Sequence, residues 1–295
     1  MDALIQLTPA GPRLPEWLRK PRTHFDSVHR LKSEFRRLNL HTVCESARCP
    51  NLHECFHRGT ATFMILGNLC TRGCRFCSVP KSTHPGQPDP DEPANVARMA
   101  AAMRLRHVVV TSVNRDDLRD GGSEHFAATV CELRAALPTA RIEVLTPDFQ
   151  GDLAAVARVL DARPHIFNHN METVSRLYRQ VRPQADYRQS LEVLKFAKRY
   201  RPGALVKSGA MLGLGETIEE VHQLMRDLRE TDVDIVTLGQ YLQPARRNLP
   251  VAEFVPPEQF DAYRDFGLSL GFKTVFSGPL VRSSYMAEHV GDSTA

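Results

Sequence analysis

Six of the seven cysteines lie within residues 44–77, in two unlike triplets. Cys44, Cys49 and Cys55 are spaced C-x4-C-x5-C, and Cys70, Cys74 and Cys77 are spaced C-x3-C-x2-C. Three thiolates can hold three irons of a cubane iron–sulfur cluster and leave the fourth iron open. Two incomplete sets side by side point to two clusters, each completed from outside its own triplet. Structural zinc is the competing reading, and it wants four ligands, usually as paired C-x2-C knuckles with or without histidine. His53 and His57 could complete such a site with the upstream triplet. The downstream triplet has no fourth cysteine at hand and carries Arg72 and Arg75 between its members. Cys131 falls on the apolar face of an expected helix and reads as a small buried hydrophobe.

The elements that position these residues alternate. Apolar, β-branched runs begin at 61–66, 107–113, 141–147, 165–170, 204–212 and 234–242, and helical periodicity fills 93–106, 123–137, 152–161, 187–200 and 217–230. Ser123 and Thr217 are expected N-caps, with Glu220 completing a capping box. Such alternation means parallel strands joined by helical crossovers. Periodicity leaves open whether the six strands form a doubly wound sheet or a partial barrel. Each strand runs into a polar or glycine-rich stretch, and parallel α/β folds carry their ligand sites at these carboxyl ends. The downstream triplet sits in the first such loop. Residues 1–60 read as an irregular, charged extension with one helix near Phe25–Leu38, its first 40 residues placed as cover for the mouth. A last segment, 273–286, reads as a further strand followed by a serine-containing turn.

Composition sets the frame. The 295 residues are 42% hydrophobic and 24% charged, with a net charge of +4, ordinary for a soluble globular protein. No apolar run is long enough to span a membrane, and the N-terminus has neither a secretory nor a transit pattern. The expected compartment is the cytoplasm, where clustered thiols are metal ligands more often than disulfides. The mild positive charge is spread along the chain and only 7% of residues are aromatic, which argues against a nucleic-acid partner.

C-x3-C-x2-C with Phe76 just before its last cysteine, after the first strand, resembles the radical S-adenosylmethionine superfamily. That resemblance implies a 4Fe–4S cluster whose open iron binds S-adenosylmethionine, and an α/β partial (β/α)6 TIM-type barrel with N-terminal and C-terminal extensions: 1–60, a barrel over 61–272, and 273–295. It also suggests cofactor contacts. Gly121 and Gly122 follow the second strand, Asn170 and Glu172 the fourth, and Gly209 and Gly213 belong to the fifth-strand glycine motif. Taken singly, these are as easily turn residues.

The upstream triplet narrows the resemblance. VCESARCPNLHEC followed by GTATFMILGNLCTRGCRFC is similar to the lipoyl synthase family, and the similarity continues through TSVNRDDLRDGG, FNHNMET, KSGAMLGLGET, GQYLQP and SGPLVRSSY, from about residue 40 to 286. It implies a second 4Fe–4S cluster on Cys44, Cys49 and Cys55, completed by a serine of Arg282-Ser283-Ser284-Tyr285, assigned to Ser284 with Ser283 as the alternative. It implies that the Cys70, Cys74 and Cys77 cluster generates a deoxyadenosyl radical. The radical abstracts hydrogen from C6 and then C8 of a protein-bound octanoyl-lysine, and the Ser284-ligated cluster is consumed as the sulfur source. The implied partners are an octanoylated lipoyl carrier domain (2-oxoacid dehydrogenase E2 or the glycine-cleavage H protein) and an electron donor. Such carriers are typically acidic, and Arg246, Arg247 and Lys273 are candidate docking charges, although ordinary solvated charges would look the same. Two positions depart from the pattern: Phe56 where tryptophan is usual, and Asn248 where histidine often stands. The alternatives are another radical sulfur-inserting enzyme, biotin-synthase-like or a methylthiotransferase, and a non-catalytic zinc-binding module.

Overall fold

A computed structural model describes residues 14–19, 25–46, 49, 51–57 and 62–284. Tyr285 and, of the expected cover by residues 1–40, residues 1–13 and 20–24 lie outside these. Eight strands form one sheet in strict chain order: β1 (His41–Thr42), β2 (Thr62–Ile65), β3 (His107–Ser112), β4 (Arg141–Leu145), β5 (Ile166–Asn168), β6 (Leu205–Leu212), β7 (Ile235–Gln240) and β8 (Thr274–Gly278). β1 runs antiparallel to β2, and every later neighbour is parallel. Side chains of β2, β3, β4, β6 and β7 line one common cavity, so the sheet curves into a barrel. Among the described residues β1 and β8 are its two unjoined edges, and the barrel is partial.

The parallel strands β2 to β7 are largely buried on both faces, as crossover helices require, whereas β8 at the edge is only half-buried. Val108, Val109 and Val110 are almost wholly buried. The helices Glu92–Ala102, Ser123–Ala136, Leu153–Asp161, Tyr187–Tyr200, Ile218–Glu230 and Pro257–Ser269 follow the strands in turn. The helix at Ile218–Glu230 buries Val221, Leu224, Met225 and Leu228, one stripe at helical spacing. Its capping box is formed as the sequence predicts, with Thr217 accepting from the Glu220 amide and the Glu220 side chain accepting from the Thr217 amide.

Several expectations need correction. Ser123 is not an N-cap. The left-handed Gly122 (φ 87°) occupies that position, and the Asp120 carboxylate instead accepts from the Gly122 and Glu124 amides and the Ser123 hydroxyl. Cys131 is exposed, because this helix turns Phe126, Val130 and Leu133 inward and Cys131 stands about 100° round from Val130. The 273–286 segment does supply a strand, but β8 joins the parallel sheet as its seventh member. The stretch before residue 60 is less irregular than expected. It contributes β1 and short helices at Val43–Ser46 and Leu52–His57, and Phe35 from the Phe25–Arg37 helix packs edge-on to Phe63 of β2 at 5.7 Å.

Candidate active site

The loop after β2 carries the downstream triplet and is held from several sides. Cys70 pairs with the returning chain, its amide donating to Pro80 and its carbonyl accepting from Ser82. The Thr71 amide reaches the Asn114 carbonyl at 3.0 Å, and the Arg75 amide reaches that of Val181 at 2.9 Å. Arg72 is 3% exposed and lies between Asp116 and Asp148, with contacts of 2.6 and 2.7 Å. A buried charge with two carboxylates and several hydrogen bonds is a satisfied one, so Arg72 anchors the loop rather than facing the cavity as a free cation. Asn248 completes the hold. Its amide nitrogen donates to the carbonyls of Arg75 (3.1 Å) and Cys77 (2.9 Å).

The upstream triplet begins just after β1. Cys44 is buried on the Val43–Ser46 turn, the Cys49 amide donates back to the Cys44 carbonyl at 3.1 Å, and Cys55 lies on the Leu52–His57 helix. The two cysteine loops touch through the Ser78 hydroxyl, which donates to the Ser46 carbonyl. Cys44, Cys49, Cys70, Cys74, Cys77 and Ser284 all line one cavity of about 460 Å³.

The C-terminal segment crosses the barrel mouth to reach it. The Leu280 carbonyl accepts from the Asn51 side chain at 2.8 Å. The chain then passes so close to β7 that a Cβ on Gly239 would lie 2.1 Å from the Val281 carbonyl oxygen. Ser283 and Ser284 face different neighbours. The Ser283 hydroxyl accepts from Asn170 at 2.7 Å, whereas the Ser284 hydroxyl accepts from the Thr62 hydroxyl at 2.7 Å. The Thr62 backbone lies beside the Cys44 thiol and favours its thiolate form. Thr62 thus stands between Ser284 and the upstream triplet.

The donor chemistry fits two iron–sulfur clusters. Burial, with neighbouring Cys49 and Cys55, pushes the Cys44 thiol up to about 12. Burial pushes Cys77 up to about 11 and raises Cys74. Buried thiols in mutual electrostatic contact give up their protons when a cationic centre compensates the thiolate charge. Among the described residues no three His, Cys, Asp or Glu side chains converge as ligands of one metal ion. Cubane ligands do not need such convergence, since each binds its own iron.

Three comparisons bear on this arrangement. The profile of the radical SAM superfamily matches residues 64–228, and that of the N-terminal domain of lipoyl synthase of the radical SAM family matches residues 6–49. Lipoyl synthase of Caldanaerobacter subterraneus subsp. tengcongensis is 55% identical over 283 residues, 96% of this chain and 98% of that protein. Lipoyl synthase of Thermus thermophilus is 53% identical over 283 residues, 96% and 88% of the two chains. The chain belongs to the lipoyl synthase family. It is a radical SAM enzyme, and the cofactors of its family are S-adenosylmethionine and two 4Fe–4S clusters. Solved structures agree on the fold. Methylornithine synthase superposes with a TM-score of 0.52 at 17% identity, covering 86% of this chain and 79% of its own. SuiB of Streptococcus suis superposes with a TM-score of 0.56 at 11% identity, covering 83% and 56%.

The remaining expected residues divide. Phe76, Asn170 and Glu172 line the cavity. Glu172 holds a left-handed backbone (φ 68°) while its amide and carbonyl bond the Gly209 carbonyl and the Met211 amide. Among the described residues lining the cavity, Gly121, Gly122, Gly209 and Gly213 do not appear. Their spaces are taken by protein: a Cβ would meet Phe149 at Gly121, Leu66 at Gly122, Thr237 at Gly209, and Gln240 with Glu253 at Gly213. Sequence reasoning missed Thr62, Asn51, Gly239 and Arg182. Gly239 was visible inside GQYLQP, but no sequence signal says that residue 281 will cross it. Arg182 is buried, donates to the Asn170 and Met171 carbonyls and the Tyr178 hydroxyl, and places positive charge near Cys74 and Glu172.

Proposed function

We propose that this protein inserts two sulfur atoms, at C6 and C8, into the octanoyl chain of an octanoylated lysine on a lipoyl carrier domain. The observation that carries the reading is that five of the six triplet thiols and the Ser284 hydroxyl face one cavity, with the Thr62 hydroxyl bonded to Ser284. Cys70, Cys74 and Cys77 would hold the cluster that receives S-adenosylmethionine. Cys44, Cys49, Cys55 and Ser284 would hold the sulfur-donating cluster, Ser284 being preferred over Ser283 because its hydroxyl meets Thr62, beside Cys44, whereas that of Ser283 is turned to Asn170. When bound, these groups supply the radical and the sulfur that an unactivated alkyl carbon demands, chemistry that acid–base side chains cannot provide.

The chain's own task is to hold, orient and exclude water. Val43, Met64, Val79, Met211 and Leu242 give the cavity apolar walls suited to an alkyl chain. Phe76, Asn170 and Glu172 are the proposed cosubstrate contacts. We assign no direct contact to Gly121, Gly122, Gly209 or Gly213, whose missing side chains serve close packing. Division of labour follows the chain, with 1–60 and 273–295 as ligand-bearing extensions of the 61–272 barrel.

Candidate partners are the lipoyl domain of a 2-oxoacid dehydrogenase E2, the glycine-cleavage H protein and an electron donor. Arg246 and Arg247 are exposed in the loop after β7, on the cavity side, and suit an acidic carrier. Lys273 does not share that side. It pairs with Asp234 at 2.9 Å, where β7 and β8 begin, at the opposite end of the barrel. Among the described residues no helix is long and apolar enough to cross a membrane, and we place the reaction in the cytoplasm. The test is anaerobic: about eight irons per chain, then a single turnover with an octanoyl-lysine peptide. Deoxyadenosine formed without sulfur insertion would sink the assignment while leaving a radical enzyme.

A further inference from the structure

The barrel interior holds an ion pair for which the reaction has no use. Lys207 on β6 and Glu143 on β4 are 1% and 0% exposed, with the Lys207 Nζ 2.9 Å from the Glu143 Oε1. Glu143 has further partners. The Asn168 amide nitrogen donates to its Oε1 at 3.0 Å, and His107 Nε2 lies 3.3 Å from its Oε2. An ammonium has three protons to donate, and another of those on Lys207 goes to the backbone carbonyl of Ser283. Asn170, which follows β5, grips the same residue by its hydroxyl. Ser283 is therefore held at carbonyl and hydroxyl, both from inside the barrel. Its neighbour Ser284 is left facing Thr62 on β2.

A buried ion pair is a poor source of net stability, and apolar residues of equal volume often replace one without loss. What this pair can contribute is geometry. Lys207 does not line the cavity, so it acts on the site only through the Ser283 backbone. We propose that Lys207, fixed by Glu143, is a positioning residue that with Asn170 seats the 280–284 segment, withholding Ser283 from the upstream thiols and presenting Ser284 to them. The seat is made of protein groups alone. The proposal rests on the reading of Ser284 as a ligand.

The test uses Lys207→Met/Glu143→Gln, which keeps the volume and removes both charges, so that no lone carboxylate is stranded. In cluster-free protein, amide hydrogen exchange over 280–284 should speed up by about tenfold or more, the scale of one hydrogen bond from a charged group. Protection in β3 to β6 should be unchanged. Exchange at the wild-type rate would overturn the seat. Should the double variant not fold, Ser283→Ala removes only the hydroxyl grip and should raise exchange in the same segment by a smaller factor; no rise would equally overturn it. In reconstituted protein, Ser284→Ala marks the Mössbauer component of the serine-bound iron. The double variant should alter that same component, and Lys207→Arg, which keeps a cationic donor, should restore it. A wild-type spectrum in the double variant would refute the positioning role. If Ser284→Ala itself changes nothing, the ligand assignment fails, while the exchange measurement still decides the seat.

Discussion

Asn248, where the resemblance leads to an expectation of histidine, shows what a single side chain can hold. Its amide nitrogen bonds the Arg75 and Cys77 carbonyls at once, closing the downstream loop on the chain that follows β7. Asn248→Ala should cost about 1–2 kcal/mol by removing two hydrogen bonds, the Cys77 carbonyl losing its Asn248 donor while the Arg75 carbonyl keeps the Leu249 amide. It should also speed iron loss to a chelator from the downstream cluster before the upstream one, followed by absorbance in variants carrying one triplet each. Titration at residue scale is equally specific. Burial alone would raise the Glu143 and Asp148 carboxyls, but Lys207 and His107 for the first and Arg72 for the second hold both at about 2. A carboxyl depressed in the folded state stabilises it above the unfolded pKa, near 4, and that contribution is lost as pH falls towards 2. Denaturant midpoints should therefore drop steeply between about pH 4 and pH 2. Asp148→Asn should flatten part of the drop, and an unchanged profile would remove Asp148 from this role.

At the scale of elements, the decisive contact is the crossing of β7 by the C-terminal segment. Gly239 leaves no room for a Cβ beneath Val281, and the obstacle is backbone, which cannot swing aside as a side chain tip can. Gly239→Ala should displace the segment at a cost of about 1–3 kcal/mol. Its signature would be loss of the serine-bound iron's spectroscopic component with the downstream cluster intact. Gly213→Ala offers the contrast. It meets Gln240 and the Glu253 carbonyl and needs φ 99°, so it should lower melting temperature without selectively disturbing either cluster. At Gly209, Gly213 and Gly239 a side chain would collide with neighbouring protein, so close packing by itself accounts for glycine there.

For the molecule as a whole, the sheet is open, with β1 and β8 at its edges. The upstream triplet is attached at the β1 edge, and Ser284 follows β8. A cluster holding Cys44, Cys49, Cys55 and Ser284 would tie the two edges together, adding to the Thr62 and Asn51 hydrogen bonds. Binding to the folded state alone stabilises it. Removing that cluster should speed hydrogen exchange in β1, β8 and 279–284 far more than in β4 to β6, and uniform acceleration would contradict the tie.

The strand–helix alternation was legible because parallel strands are continuous apolar runs and crossover helices are periodic, as in Val108–Val110 and the Val221, Leu224, Met225, Leu228 stripe. β1 was not, since two residues carry no period. Cys131 was misread because one residue of helix register separates it from the buried Val130. The two cysteine triplets, their unequal spacing and the need for outside ligands were fixed by residue type and local spacing, which are properties of the chain itself. On our reading, the choice of serine for the upstream triplet is made in three dimensions, since the resemblance leaves Ser283 as the alternative to Ser284. It depends on Thr62, Asn170 and Lys207 acting on a segment many residues away, and on the backbone gap that Gly239 leaves for it. No local pattern encodes such contacts, because they exist only once the sheet has curved and brought its edges together.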